Sequence, residues 1–172
     1  MIGLKWYESV SQEFLPNYCL DPLGSHVVTV TFPGGKVLKF QASVTPHCQR
    51  SAPITSASIS FTPMPGTVGK LEVLGSSDVQ IDGSVPGPVN LIGTSGGVDI
   101  FNSFVFKFTA EDGTAYIIDR RAGLQSLSDP NGNTLTIGAG GIVHSSGKSI
   151  VFNRDSLGRI NSITDPNGNS QT

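Results

Sequence analysis

The sequence predicts an all-β fold, a meander of short antiparallel strands with almost no helix. Charged residues make up 14% of the chain, well below the ~25% of an average soluble domain, and glycine accounts for 21 of the 172 residues. Short runs rich in β-branched and apolar residues alternate with turns rich in Gly, Pro, Asn and Asp. No apolar period of 3.6 residues persists for three turns, so helices are not expected.

The clearest hairpin in the first part of the chain joins residues 26–32 to residues 36–40 through the turn Pro33-Gly34-Gly35. Short strands are also predicted at residues 71–74, 79–81 and 89–92. Residues 55–62 alternate enough for one strand, but prolines occur repeatedly between residues 46 and 65. Proline cannot donate a ladder hydrogen bond, so this segment is expected at a sheet edge.

The strand pattern becomes regular from about residue 98. We predict an N-terminal, β-rich and proline-containing region over residues 1–97, followed by a β-repeat region over residues 98–172. Strands in the second region are expected at residues 98–108, 115–119, 124–128, 134–137, 142–144, 149–152 and 159–164.

An internal repeat is the most specific signal in the chain. The run Asp-Pro-Asn-Gly-Asn occurs twice at a spacing of 36 residues, and residues 116–133 share seven identities in 18 positions with residues 152–169. Asp and Pro suit the first two positions of a type I turn, and the following Gly can take positive φ. The predicted turn residues are Asp129, Pro130, Asn131, Gly132 and Asn133, with Asp165, Pro166, Asn167, Gly168 and Asn169 in the second copy.

Apolar spacing within the repeat does not follow strict alternation. Leu124 and Leu127, like Ile160 and Ile163, are three residues apart, which would place them on opposite faces of a regular strand. Either burial of the strand on both faces or a β-bulge would reconcile this spacing with a sheet.

Residues 152–169 resemble the Rhs/YD repeat, in which an aromatic residue precedes Tyr-Asp and is followed by Gly-Arg, an apolar pair and an Asp-x-x-Gly turn. The matching positions are Phe152, Asp155, Gly158, Arg159, Ile160, Ile163 and the second five-residue turn. Residues 112–119 are similar to the segment that often leads into such repeats, so the resemblance covers roughly residues 98–172. Arg154 and Ile118 replace the family's Tyr, and Ala122-Gly123 replaces Gly-Arg, which indicates degenerate or entry repeats.

The resemblance implies a long β-sheet that forms part of a shell or solenoid, as in bacterial Rhs proteins, insecticidal toxin complexes and teneurins. Large members encapsulate a C-terminal toxin or present an adhesive surface. Nothing here matches the family's self-cleaving core or its toxin domain. We therefore expect a non-catalytic structural segment of a large extracellular or cell-surface protein, with the rest of that polypeptide as its partner.

Charge and hydropathy exclude several other classes of function. The formal net charge is −2, and Lys and Arg are scattered along the chain with Arg120-Arg121 as one adjacent pair, so no nucleic-acid partner is expected. No run approaches the ~18 apolar residues of a membrane span, and residues 1–7 lack the features of a secretory signal. Any export signal would lie on a longer precursor, or Met1 is a start introduced by cloning.

Cys19 and Cys48 are the only cysteines, and the sequence leaves two states open for them. A disulfide would contribute on the order of 3–4 kcal/mol in the chain-entropy model, whereas two buried free thiols would suit a cytosolic protein. A nucleophilic Cys48 beside His47 is not expected, since sequence neighbours in a strand point to opposite faces.

Catalytic and metal-binding patterns are weak, and no cofactor or metal is expected. Asp129, Asn131 and Asn133 mimic the opening of a calcium loop, but Thr134 and Gly140 occupy the positions of its Gly and bidentate Glu. His26, His47 and His144 lack metal-ligand spacing, and the glycines of residues 138–141 precede a strand rather than a phosphate-binding helix. Glu111-Asp112 and Asp99 could supply a carboxylate pair, but any β protein offers several.

An alternative function is a carbohydrate-binding or adhesive module, with Trp6, Tyr7 and Tyr18 as candidate residues for stacking on a glycan.

A further expectation concerns the C-terminal edge. The chain stops soon after the second Asp-Pro-Asn-Gly-Asn turn, so the strand at residues 159–164 is expected to lack one partner and to mediate self-association.

Overall fold

A computed structural model describes residues 1–94 and 99–172. The described residues form 17 β-strands and no helix, which confirms the all-β prediction. The chain divides into two compact units, Met1–Phe106 and Lys107–Thr172. Residue 98, where we predicted the start of the repeat region and of its first strand, lies outside the described residues. The rest of the predicted strand, residues 99–108, is wrong in its first part, because the strand begins only at Val105.

The first unit contains nine strands and the start of a tenth. They are β1 (Trp6–Val10), β2 (Asn17–Pro22), β3 (Val27–Thr31), β4 (Val37–Thr45), β5 (Cys48–Arg50), β6 (Ser56–Pro63), β7 (Lys70–Val73), β8 (Asp78–Gly83), β9 (Gly87–Gly93) and β10 (Val105–Thr109). The hairpin of β3 and β4 is confirmed, with Thr31 opposite Val37 across the glycine turn. Strands β1, β2 and β5 were not predicted.

Strand β6 corrects one prediction, because it lies inside the sheet and not at an edge. It pairs with β4 along Ser58–Pro63 on one side and with β8 and β7 on the other. Pro53 and Pro65 flank the strand, and Pro63 is its last residue. The prolines therefore leave the ladder donors in the interior of the strand intact, which is why a central position is possible.

The core of the first unit is built by alternation along these strands. Strand β4 buries Leu38, Phe40, Ala42 and Val44, whereas the residues between them are more exposed. Strand β6 does the same with Ala57, Ile59 and Phe61. Each Leu or Phe removed from water in this way contributes about 1.5–3 kcal/mol.

The second unit is a meander in which each strand pairs with its neighbours in sequence. Its strands are β11 (Ala115–Asp119), β12 (Gly123–Ser128), β13 (Thr134–Gly138), β14 (Gly141–His144), β15 (Ser149–Arg154), β16 (Ile160–Thr164) and β17 (Ser170–Gln171). The first six of these strands, β11 to β16, agree with the predicted ones to within two residues.

Strand β17 corrects the prediction for the C-terminal edge. It pairs with β16 at Ile163 and Thr164, so the last two residues of β16 have partners on both sides. The strand expected to begin after the second turn is therefore present, two residues long. Self-association stays a prediction.

A β-bulge explains the irregular apolar spacing of the repeat. Ile117 lies opposite Ser126, but Ile118 lies opposite Leu124, so Gln125 is the extra residue. Because of this extra residue, Leu124 and Leu127 point to the same face of the sheet. Of the two explanations that the sequence left open, the bulge is the one observed.

The same bulge recurs in the second copy. Asn153 lies opposite Ser162 and Arg154 opposite Ile160, which leaves Asn161 as the extra residue, 36 positions after Gln125. Strands β11, β12 and β13 thus correspond to β15, β16 and β17, with β14 between the two sets.

Candidate functional site in the repeat turns

The two five-residue turns have the same backbone structure. In the first, Gly132 N–H donates to the carbonyl of Asp129 at 3.1 Å, and Asp129 N–H donates to the carbonyl of Asn133 at 2.9 Å. In the second, Gly168 and Asp165 make the corresponding bonds at 3.1 and 2.8 Å. Gly132 and Gly168 have φ of 86° and 88°, as expected for a type I turn followed by a left-handed residue.

Each turn is also closed by its own aspartate side chain. Asp129 Oδ1 accepts from the backbone N–H of Asn131 and of Asn133 at 2.9 Å, and Oδ2 accepts from the Asn133 side chain at 2.7 Å. Asp165 makes the equivalent three bonds with Asn167 and Asn169. The Asn133 side chain and these N–H groups hold the pKa of Asp129 below its usual value.

Other hairpins of the second unit use the same turn with different side chains. Residues 110–114, 144–148 and 155–159 repeat the pair of backbone bonds, and each places a glycine with positive φ at the fourth position. In the last of these, Asp155 accepts from Arg159 Nε at 2.8 Å and from two backbone N–H groups. The backbone N–H and the side chain of Arg159 lower the pKa of Asp155.

This hydrogen bonding favours a structural role for the aspartates over calcium binding. Both carboxylate oxygens of Asp129 already accept bonds from within the turn. No group of three or more His, Cys, Asp or Glu side chains in the described part of the chain could hold a metal ion. Of the three histidines, His144 is bound into its turn through Ser146, and His26 stacks on Trp6.

Register places the apolar side chains of the meander on one face. Leu127 lies opposite both Tyr116 and Leu135, and Ile142 lies opposite both Ile137 and Ile150. All six of these side chains are half-buried, and the face continues with Leu124, Ile118, Phe152 and Ile163. We call this set the apolar face. The opposite face carries mainly Ser, Thr and Val, among them Ser126, Thr136, Val143 and Val151.

The three candidate glycan-stacking residues do not form one platform. Trp6 is 1% exposed, its Nε1 donates to the carbonyl of Ile2 at 2.8 Å, and its ring stacks on His26 with 5.0 Å between centroids. Trp6 therefore cannot offer a ring face to a sugar, which corrects that assignment. Tyr7 and Tyr18 are half-buried and lie on opposite faces, since Tyr7 pairs with Asp21 and Tyr18 with Val10.

Cys19 and Cys48 form a disulfide, one of the two states that the sequence left open. They lie opposite each other where β2 pairs with β5. Sequence reasoning could not place this bond on a face, because β2 and β5 were not predicted.

Comparison with protein-family models, with curated proteins and with solved structures finds no match to this chain. Within the described residues, no helix has the length and apolar character needed to cross a membrane.

Proposed function

We propose that this chain is a structural segment of a large extracellular or cell-surface protein of the Rhs/YD-repeat kind, in which it forms part of a shell or scaffold. Such a shell encapsulates or presents a C-terminal effector, and the segment itself is non-catalytic. The observation that carries the proposal is the repeat, whose two copies share their turns and their bulge at a spacing of 36 residues.

The repeat is suited to extension. The three side-chain bonds of Asp129, like those of Asp165, end on residues of its own turn. The bulge returns Leu124 and Leu127 to one face, and Ile160 and Ile163 to the equivalent face one repeat later. Each added unit would therefore continue the apolar face without new turn chemistry, as in other repeat proteins.

The apolar face also supports a place within a larger body. Most of its side chains are only half-buried. Ile163 is 42% exposed, and Ile160, which the second bulge brings to the same face, is 47% exposed. Contiguous apolar surface of this kind normally packs against further protein. A shell wall, with one face directed toward its contents or toward further repeats, would cover it.

The parent polypeptide provides the decisive test. An antibody raised against the chain should detect a polypeptide many times longer than 172 residues, carrying further Asp-x-x-Gly turns, and should label intact cells. Detection of a free protein of this length, confined to permeabilised cells, would contradict the proposal.

A glycan array tests the alternative of a carbohydrate-binding module. If the chain is a scaffold, the wild-type protein should bind no glycan on the array. Reproducible binding that is lost in Tyr7→Ala, with Tyr18→Ala as a matched control on the other face of the sheet, would favour the binding module instead.

A further inference from the structure

A polar cluster surrounds the disulfide in the first unit. Leu20 of β2 and Glu8 of β1 are fully buried in the core, so the alternating residues Cys19 and Asp21 lie on the outer face of the sheet. Cys48 is exposed and Cys19 is half-buried. Cys48 is therefore the half of the disulfide that is more open to solvent.

His47 connects the disulfide to a carboxylate. Its Nε2 lies 3.1 Å from Asp21 Oδ1, and its Nδ1 lies 3.5 Å from Cys48 Sγ. An ionised carboxylate can only accept, so His47 Nε2 carries the proton and donates to Asp21. Nδ1 is then left as the acceptor that faces the sulfur.

Strand alternation was our reason for not expecting a nucleophilic Cys48 beside His47, and the contact between His47 Nδ1 and Cys48 Sγ removes that reason. That expectation assumed that both residues lie in a strand. Strand β5 begins at Cys48, and His47 lies in the two-residue connection after β4, so strand alternation does not fix its side chain.

The other sulfur has a polar neighbour of its own. Asn17 Nδ2 donates to Cys19 Sγ at 3.4 Å. Both sulfurs thus have a partner that can stabilise a thiolate: an amide N–H at Cys19 and an imidazole at Cys48. A disulfide that only crosslinks the chain requires neither partner.

We propose that Cys19–Cys48 is a site of thiol–disulfide exchange with a low-molecular-weight thiol. A thiolate of the reductant attacks Cys48 Sγ, the S–S bond breaks, and the electron pair passes to Cys19 Sγ beside Asn17. A second thiolate then attacks the reductant's sulfur in the mixed disulfide and expels Cys48 as its thiolate. The products are the oxidised reductant and two protein thiolates, which take up protons from water.

In the reduced protein, Cys48 is the activated thiol. His47 Nδ1 takes its proton, and the resulting imidazolium lies between the Cys48 thiolate and the Asp21 carboxylate. Because the thiolate is the reactive species, this charge separation raises the rate of exchange near neutral pH. The inference concerns the first unit and does not depend on the proposed function.

Alkylation of the reduced chain by iodoacetamide at pH 7, read at Cys48 by peptide mass, tests the role of His47. We expect His47→Ala to slow alkylation about ten-fold, less than the 10²–10⁴ typical of acid–base catalysis, because the His47 side chain is 59% exposed. Asp21→Asn should have a smaller effect in the same direction. His144→Ala, which removes a histidine distant in sequence and bonded to Ser146, should react like wild type.

The pH profile separates activation from a merely structural effect. The pH at which alkylation of Cys48 reaches half its maximal rate should lie below the ~8.5 of a free cysteine. This midpoint should rise in His47→Ala. Reduction of the oxidised chain by glutathione should slow in the same variant. Emission of Trp6, the single tryptophan, reports whether each reduced variant stays folded.

Two results would overturn the proposal. If either variant, His47→Ala or Asp21→Asn, is folded and is alkylated at the wild-type rate, the imidazole does not activate the sulfur. Unfolding of the wild-type chain on reduction would show that the disulfide is a structural crosslink.

Discussion

Substitution of Gly132 by alanine tests the structure of the repeat turn most directly. Gly132 has a φ of 86°, and a methyl group added there would meet no atom within 4 Å. The cost of the substitution is therefore a backbone cost alone, about 1–2 kcal/mol for an L-residue in the left-handed region. Gly168, with a φ of 88° and equally open surroundings, should show the same loss.

Gly138 supplies a matched control six residues further along the chain. It also has no atom within 4 Å of an added methyl group, but its φ lies outside the left-handed region. Alanine at Gly138 restricts the unfolded chain without strain and should stabilise by about 0.4–1 kcal/mol. The two Gly→Ala changes should thus shift the free energy of unfolding in opposite directions. Gly132→Asn should lose less stability than Gly132→Ala, because Asn tolerates positive φ.

Amide hydrogen exchange in β12 and β13 measures the local effect in the full chain. Exchange through opening of these strands should accelerate about 5–30-fold in Gly132→Ala, as a loss of 1–2 kcal/mol implies. In Gly138→Ala it should slow or stay unchanged. Equal exchange in the two variants would refute the turn structure described above.

Two further predictions concern the stability of the second unit at low pH and the substitution of the buried Glu8. The pKa values of Asp129, Asp155 and Asp165 are lowered by hydrogen bonds in the folded state, so their stabilising contribution is complete above the unfolded pKa of ~3.9 and is lost as pH falls through the lower folded values. The urea midpoint of the second unit should therefore fall below about pH 4, and Asp129→Asn should weaken that dependence; a midpoint constant down to pH 2 would contradict this. Fully buried Glu8 accepts from Ile54 N–H at 2.6 Å, so Glu8→Leu, which leaves this donor unpaired, should cost about 1–3 kcal/mol, and Glu8→Gln less, in urea titrations followed by Trp6 emission.

The repeat region could be predicted from the sequence because its determinants are local. The backbone and side-chain bonds that close the turn at Asp129 span at most four residues. Turn type, glycine conformation and strand spacing then follow from residue chemistry alone. Only the choice between a bulge and a doubly buried strand needed the structure, since it depends on the register between β11 and β12.

The N-terminal strands could not be predicted, because distant residues determine them. Strand β1 places Glu8, an acidic residue, at a core position, where its partner Ile54 is 46 residues away. Strand β2 contains Asn17, Asp21 and Pro22, residue types that are depleted in strands. The contact between His47 and Asp21, which are 26 residues apart, likewise leaves no pattern in the sequence that would predict it.

A meander in which each strand pairs only with its sequence neighbours cannot bury its own apolar face. When four more strands are added, they bring a further set of apolar side chains to the same face, as β15 and β16 do after β11 and β12. Extension therefore enlarges the exposed apolar surface in proportion to its length and cannot bury it. Burial requires a second layer or curvature of the sheet around an interior. Both arrangements occur when a sheet forms the wall of a shell, which is why the half-buried state of these side chains supports that proposal over an isolated repeat array.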